Sequence, residues 1–312
     1  MTTNFGAETS ADEVLEGINL TGKRIVVTGA SSGLGLETAR ALSTRGATII
    51  GAVRDIDKAR RVTDSSSNIE FVELDLASLA SVRACADALV AKGEPIDLVI
   101  ANAGVMATPE GRTADGFETQ FGTNHLGHFA FVNHLAPLLR SGSRVVVLTS
   151  GGHRVGNVDL EDPNFERTPY NERVAYGRSK SANVLFAVEF DRRHRDAGIR
   201  AVAVHPGTID TDLSRHQTSE AKAQQIATIN ANRPAGTPEF KYKTPGQGSA
   251  TSVWAGIVAP ADEVGGRYCE NCHVADVIDT PGARVGVRSY VLDPDHAKAV
   301  WALSETMIGE KF

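Results

Sequence analysis

Tyr176 and Lys180 lie four residues apart in Tyr176-Gly-Arg-Ser-Lys180, near the start of a stretch with helical spacing. One helical turn puts both side chains on the same face. A phenol can pass a proton, but alone it is a weak acid. A neighbouring ammonium favours the phenolate and should lower its pKa. Ser150 ends the apolar run Val145-Val-Val-Leu-Thr-Ser150 and is placed to hydrogen-bond an oxygen at a reacting carbon. The three residues read as machinery for moving a proton on and off a carbonyl oxygen.

A proton donor of this kind needs a hydride donor beside it. Thr28-Gly29-Ala30-Ser31-Ser32-Gly33-Leu34-Gly35 follows the β-branched run Lys23-Arg-Ile-Val-Val-Thr28 and precedes a helical pattern. Glycines let the backbone approach a pyrophosphate, and a helix N-terminus offers free N–H groups and a positive dipole end. Gly29, Ser31, Ser32, Gly33, Leu34 and Gly35 are therefore the candidate dinucleotide cradle. At the end of the second strand an acid would accept a ribose 2′-hydroxyl, whereas an Arg would pair with a 2′-phosphate. The strand runs Ile49-Ile-Gly-Ala-Val53-Arg54-Asp55. Arg54 makes NADP(H) the expected cofactor, with NAD(H) the lesser alternative.

Elements that could hold these groups alternate along the chain. Strands are expected at Lys23–Thr28, Ala47–Val53, Asn68–Leu74, Pro95–Ala101, Ser143–Thr149 and Ile199–His205. Helices are expected at Leu34–Arg45, Ser78–Ala91, Gly116–Leu139 and Val174–Arg195, with Gly46 a C-terminal cap for the first. Ser10-Ala-Asp-Glu13 reads as a capping box. Alternating strands and helices imply βαβ units and a parallel sheet covered on both faces, an α/β fold of three αβα layers. The segment from Asp212 to Thr244 is polar, contains Pro234 and Pro238, and reads as a lid with a helical piece. A helix near Gly248–Val258, a short strand at Arg267-Tyr268 and a helix at Pro294–Ile308 follow. No linker divides the chain, so one domain over 1–312 with a lid at about 212–245 is expected.

In combination these motifs resemble the short-chain dehydrogenase/reductase family, from about residue 10 to the end. The resemblance implies a doubly wound, Rossmann-type sheet. It implies that Asp75 and Leu76 lie beside the adenine, and that Asn102-Ala103-Gly104 supports the sheet and borders the cofactor. Pro206, Gly207 and Thr208 would lie near the nicotinamide, with Thr208 favoured over Thr211 for the carboxamide contact. Lys180 would also hold the nicotinamide ribose. Asn124, in Asn124-His-Leu-Gly-His-Phe129, would hold a water in a proton relay. Val53 stands where NAD-preferring members carry an acid. Ala101 replaces a second Asn, and Ser32 replaces a second basic residue of many NADP-preferring members. The long connection from Ser150 to Tyr176 resembles retinol dehydrogenases and WW-domain-containing oxidoreductases. That implies hydrophobic alcohols or ketones as substrates, with walls from Met106, the 151–170 stretch and the lid. Family members often pair through the two long helices, which leaves a homo-oligomer open.

Composition narrows the alternatives. A hydrophobic fraction of 41% with 22% charged residues suits a globular enzyme. A net charge of -6 argues against a nucleic-acid partner. No apolar run reaches the roughly 18 residues of a membrane span, and the N-terminus lacks a signal-peptide core. Three cysteines give no disulfide framework, so the cytoplasm is expected. Cys269-Glu-Asn-Cys272-His273 matches a haem-attachment pattern but lacks an export signal, and neither haem nor metal is expected. His125, His128 and His134 read as helix packing. An epimerase of the extended group would carry Thr-Gly-x-x-Gly-x-x-Gly, which differs from this turn. A catalytically silent cofactor sensor or scaffold would have little use for Ser150, Tyr176 and Lys180 together.

Overall fold

The computed structural model describes residues 5–64, 67–209, 219–231, 239 and 241–312. Helix α1 (Ala11–Val14) opens with the expected capping box: Ser10 Oγ accepts from the Glu13 N–H at 3.3 Å, and the Glu13 carboxylate accepts from the Ser10 N–H at 2.7 Å. Then come β1 (Arg24–Thr28), α2 (Gly33–Ser43), β2 (Thr48–Val53), α3 (Ile56–Val62), β3 (Ile69–Glu73), α4 (Leu79–Lys92) and β4 (Ile96–Ala101). The second half carries α5 (Thr119–Phe121), α6 (Gly127–Leu135), β5 (Leu139–Leu148), α7 (Glu172–His194), β6 (Arg200–His205) and α8 (Ser219–Ala231). It closes with α9 (Pro245–Val253), α10 (Ala261–Val264), β7 (Tyr268–Glu270), β8 (His273–Val274) and α11 (Pro294–Ile308).

The strands form one sheet in the order β3-β2-β1-β4-β5-β6-β7-β8, parallel except for β8. Adjacent residues of each strand feed opposite cores. Val26, Val99, Val145 and Val147 face α4, α6, α7 and α11. Ile25, Val27, Leu98 and Val146 face α1, α2 and α9. Burial on both sides explains the continuous apolar strands. Strand order reverses between β1 and β4, and connections leaving those two neighbours diverge. A crevice opens at their carboxyl ends.

Several expectations need correction. The helix expected over Gly116–Leu139 is shorter and broken. Gly116 takes φ +86 in a turn, Glu118 caps α5, and residues Gly122–Leu126 form a π-turn. Pro137 sits in the 3₁₀ turn Ala136–Leu138 that ends the helical run, and β5 starts at once. Helix α3 was not foreseen, because it has seven residues and buries only Ala59. Asp55 is its N-cap, accepting from the Lys58 N–H at 2.8 Å. Gly46 closes α2 as expected: at φ +94 its N–H donates to the Ser43 carbonyl at 2.9 Å, and the Ala47 N–H donates to the Leu42 carbonyl at 3.4 Å. Strand β8 follows a tight turn in which Asn271 and Cys272 have φ +51 and +58. Helix α8 is the helical piece of the expected lid, and the rest of that segment up to residue 240 lies outside the described residues apart from 239.

Candidate active site

A cleft of about 1010 Å³ opens at the carboxyl ends of β1, β4, β5 and β6. Gly29, Ser31, Ser32, Gly33, Leu34 and Gly35 line one end. Gly29 has φ +72, and a side chain at Gly35 would place its Cβ 2.3 Å from the Gly29 carbonyl oxygen. Only glycine lets these turns of chain pass so closely. Ser32 is the N-cap of α2 but makes no side-chain capping bond, and no acid occupies the first turn. The helix N–H groups are thus left for an anion, which fits a dinucleotide pyrophosphate.

Arg54 and Lys58 line the cleft beyond this turn. Neither forms an ion pair with another described residue. Lys58 escaped sequence reading together with α3, although its i,i+4 spacing from Arg54 was visible. Asp75 and Leu76 border the same end, with Asp75 Oδ1 accepting from the Ala77 N–H at 3.0 Å.

Asn102, Ala103 and Gly104 lie at the middle of the cleft. The Asn102 side-chain amide donates to the Thr28 carbonyl at 2.8 Å, and the N–H groups of Asn102 and Ala103 both donate to Thr28 Oγ1 at 2.9 Å. The loop after β4 is therefore tied to the end of β1. The tie continues inward, for Thr28 Oγ1 lies 2.9 Å from His128 Nε2, and His128 Nδ1 lies 2.9 Å from the Asn124 carbonyl. A carbonyl only accepts, so Nδ1 carries the proton and Nε2 accepts from Thr28. Burial pushes the imidazole down to about 4, which keeps it neutral. His128 is thus a link between the glycine turn and Asn124 as well as a packing residue.

Asn124 is buried within the π-turn and does not line the cleft. Its Oδ1 accepts from the Val105 N–H at 2.8 Å, and its Nδ2 donates to the Val105 carbonyl at 2.9 Å and to Ser179 Oγ at 3.0 Å. Ser179 in turn donates to the Tyr176 carbonyl at 2.8 Å. A Cβ on Gly104 would approach Asn124 Oδ1 to 3.0 Å and Lys180 Nζ to 3.6 Å, so Gly104 leaves the space between them open.

Ser150, Tyr176 and Lys180 converge at the end of β5 and the second turn of α7. Ser150 Oγ accepts from the Gly152 N–H at 3.0 Å. Gly152 passes so close to the phenol that a Cβ there would lie 2.8 Å from Tyr176 Cε1. Lys180 Nζ donates to the Leu148 carbonyl at 3.2 Å and sits 5.7 Å from the Tyr176 ring centroid. Burial pushes the Tyr176 phenol up to about 12, opposed by a hydrogen bond from Ser150. Burial pushes the Lys180 ammonium down to about 8. The expected lowering of Tyr176 by Lys180 is not met in this geometry, because the ammonium is turned to Leu148 and desolvation dominates the phenol.

Pro206, Gly207 and Thr208 line the cleft opposite Asn102. Thr211 lies outside the described residues. Met106 lines the wall as expected, but the 151–170 stretch contributes only Gly151, Gly152, Arg154 and Val155. The remainder folds on itself. Asp162 accepts from the N–H groups of Glu166 and Thr168 at 2.6 and 3.0 Å, and Asp159 pairs with Arg178 at 3.1 Å. Arg154 and Lys243 line the cleft from within the two stretches expected as walls, and Asn271 lines it unforeseen. Distance in sequence hid Asn271. Among the described residues no group of His, Cys, Asp or Glu could hold a metal ion. Cys269 and Cys272 are buried and free, with the Cys272 N–H donating to Thr251 Oγ1 at 3.2 Å. His125 Nε2 meets Ser304 Oγ at 2.7 Å, and His134 packs on Phe312 with ring centroids 5.2 Å apart.

Sequence comparison agrees with the geometry. The model of the short chain dehydrogenase family matches residues 23–222. The chain belongs to the short-chain dehydrogenase/reductase family and is one of its oxidoreductases. It is 40% identical to a probable oxidoreductase of Streptomyces lividans over 91% of this chain and 97% of that protein. It is 35% identical to human retinol dehydrogenase 13 over 92% of this chain and 85% of that one. An uncharacterized protein of Mycobacterium paratuberculosis, known by crystal structure, superposes with a TM-score of 0.71 at 35% identity, covering 94% and 96% of the two chains. A Burkholderia cenocepacia short chain dehydrogenase in complex with NADP shares the fold with a TM-score of 0.63 at 23% identity, covering 81% of this chain and 97% of that one. Among the described residues no helix is long and apolar enough to cross a membrane.

Proposed function

We propose that the cleft binds NADP(H) and exchanges a hydride with a carbonyl or alcohol carbon of a small, mainly apolar substrate, with Tyr176 moving the proton. The observation that carries this reading is the convergence of Ser150, Tyr176 and Lys180 in a cleft whose far end presents Arg54 and Lys58, neither ion-paired to a carboxylate among the described residues. When bound, the nicotinamide supplies or accepts the hydride. The glycine turn and the free end of α2 hold the pyrophosphate. Arg54 and Lys58 hold the 2′-phosphate, which a dicationic pocket prefers to a bare hydroxyl.

In the reducing direction Tyr176 gives its proton to the substrate oxygen. A phenol held near 12 keeps that proton at neutral pH until the oxygen becomes basic enough to take it. Ser150 hydrogen-bonds the same oxygen. Lys180 is still largely an ammonium at neutral pH, and its charge, one helical turn away, stabilises the phenolate as it forms. Asn124 bonds Val105 and Ser179, whose hydroxyl donates to the Tyr176 carbonyl, and in this reading it holds a water of the proton relay. Met106, Val155, Ala283 and Val285 give the open end of the cleft an apolar rim that suits a lipophilic body. We read the chain as one domain, since a single sheet carries all the groups of the site.

The test is oxidation of NADPH, with NADH alongside, against apolar aldehydes, ketones and quinones. Turnover with NADPH is expected. In Arg54→Ala the NADPH affinity should fall about tenfold or more while NADH affinity stays within about twofold. Equal effects on the two cofactors would remove Arg54 from the phosphate site.

A further inference from the structure

The protein carries a net charge of -6, yet the substrate end of its cleft is cationic. Arg154, Lys180, Lys241, Lys243 and Arg284 line it, against Glu239 and Glu270. Most of these charges are already committed. Arg154 lies 3.6 Å from Glu270 and donates to the Gly286 carbonyl. Glu270 also accepts from the Gly286 N–H at 2.7 Å. Lys180 donates to the Leu148 carbonyl at 3.2 Å. Lys241 and Arg284 are exposed at the mouth.

Lys243 differs from all of them. It is half-buried, and among the described residues no carboxylate lies within ion-pair distance of it. Its position is built from three sides. The backbone N–H donates to the Thr208 carbonyl at 3.0 Å, so the residue pairs with the strand-like segment at Ile209. The alkyl chain lies over Gly207, where a Cβ would meet Lys243 Cδ at 2.8 Å. The ammonium donates to Asn271 Oδ1 at 2.7 Å, and Asn271 is fixed in a left-handed turn at φ +51. One neutral acceptor leaves two ammonium protons without a described partner. Desolvation lowers its pKa, opposed by the more distant Cys272 and Glu270.

We propose that Lys243 is the anion-binding residue of the substrate subsite, so that the preferred substrate carries a carboxylate or similar oxyanion on an apolar body. This rests on the oxidoreductase reading above and adds the substrate's class to it. An anionic oxygen could also come from the cofactor pyrophosphate, but Lys243 packs on Gly207 and Asn271, which follow β6 and β7, whereas the glycine turn follows β1. Gly207 and Asn271 are thus three and four strands from β1 and its glycine turn, or about 14 and 19 Å at ordinary strand spacing.

The test needs no turnover. Calorimetry on the protein saturated with NADP⁺, and again without cofactor, compares 4-formylbenzoate with its methyl ester, and NADP⁺ affinity is measured on the same samples. Wild type should bind the acid about tenfold more tightly than the ester. Lys243→Met should bring the two within about twofold with NADP⁺ affinity unchanged, and Lys243→Arg should retain the preference. A wild type that does not prefer the acid, or a preference that survives in Lys243→Met, overturns the proposal. Loss of NADP⁺ affinity in Lys243→Met with the acid preference intact also overturns it, and assigns the ammonium to the pyrophosphate. Failure of the oxidoreductase reading looks different: the acid would bind while NADPH oxidation stays absent.

Discussion

Lys180 is a charged side chain with 5% exposure. Its folded-state pKa of about 8 lies below the ordinary 10.5 because burial penalises the ammonium. The unfolded chain therefore binds the proton more readily, and the burial cost is full below pH 8 and fades as pH rises towards 10.5. Met has nearly the same shape and no charge. In Lys180→Met the Leu148 carbonyl keeps a donor, since Asn183 Nδ2 reaches it at 3.0 Å. The variant should lose turnover yet melt higher than wild type at neutral pH without cofactor, and the gain should shrink above pH 8. A lower melting temperature at all pH values would show that Lys180 is held by more than its Leu148 contact. At this scale the glycine turn, Ser150 and the Tyr176–Lys180 pair were legible, because their chemistry lies within short motifs. Lys58, His128 and Lys243 were not. Their partners, at Arg54, Thr28 and Asn271, become neighbours only through an unforeseen helix, a 100-residue separation or a tight turn.

Helix α7 carries Tyr176 and Lys180 on one side, and its positions Ala182 through Ala187 are all buried. Part of that burial comes from α11. Trp301 sits edge-on to Phe129 with centroids 4.9 Å apart, stacks on Phe186 at 5.9 Å, and lies under the Arg193 guanidinium at 4.1 Å. Its indole N–H donates to Glu305 at 3.0 Å. Trp301→Ala should cost about 3–5 kcal/mol of unfolding free energy in urea. NADPH affinity should stay within about twofold in the folded fraction, because Trp301 does not line the cleft. A loss of under about 1 kcal/mol would mean that α11 does not anchor α7 as described. Strands β1, β2, β4, β6 and the second half of β5 were legible because burial on both faces makes them continuous apolar runs. The expected helix overruns α6 because Leu135-Ala-Pro-Leu-Leu139 continues its apolar character while turning into β5. Strand β8 spans two exposed residues and has no pattern to read.

Across the whole molecule the cleft runs along the carboxyl ends of the sheet, from Arg54 and Lys58 past the glycine turn to Tyr176 and on to Lys243. In the proposed reading the dipole of α2, the cations at both ends and the buried phenol between them would serve a dinucleotide followed by its substrate. Fold, family and the order of the motifs follow from the sequence together. The cationic substrate end does not, since it is assembled from residues 154, 243 and 284 against a negative total charge. The central claim is that Tyr176 moves the proton while the rest of the cleft holds the cofactor. Titration with NADPH and a turnover assay on wild type and Tyr176→Phe test it most directly. The variant should bind NADPH within about twofold of wild type and lose turnover by about a hundredfold or more. Turnover retained in Tyr176→Phe would contradict the account.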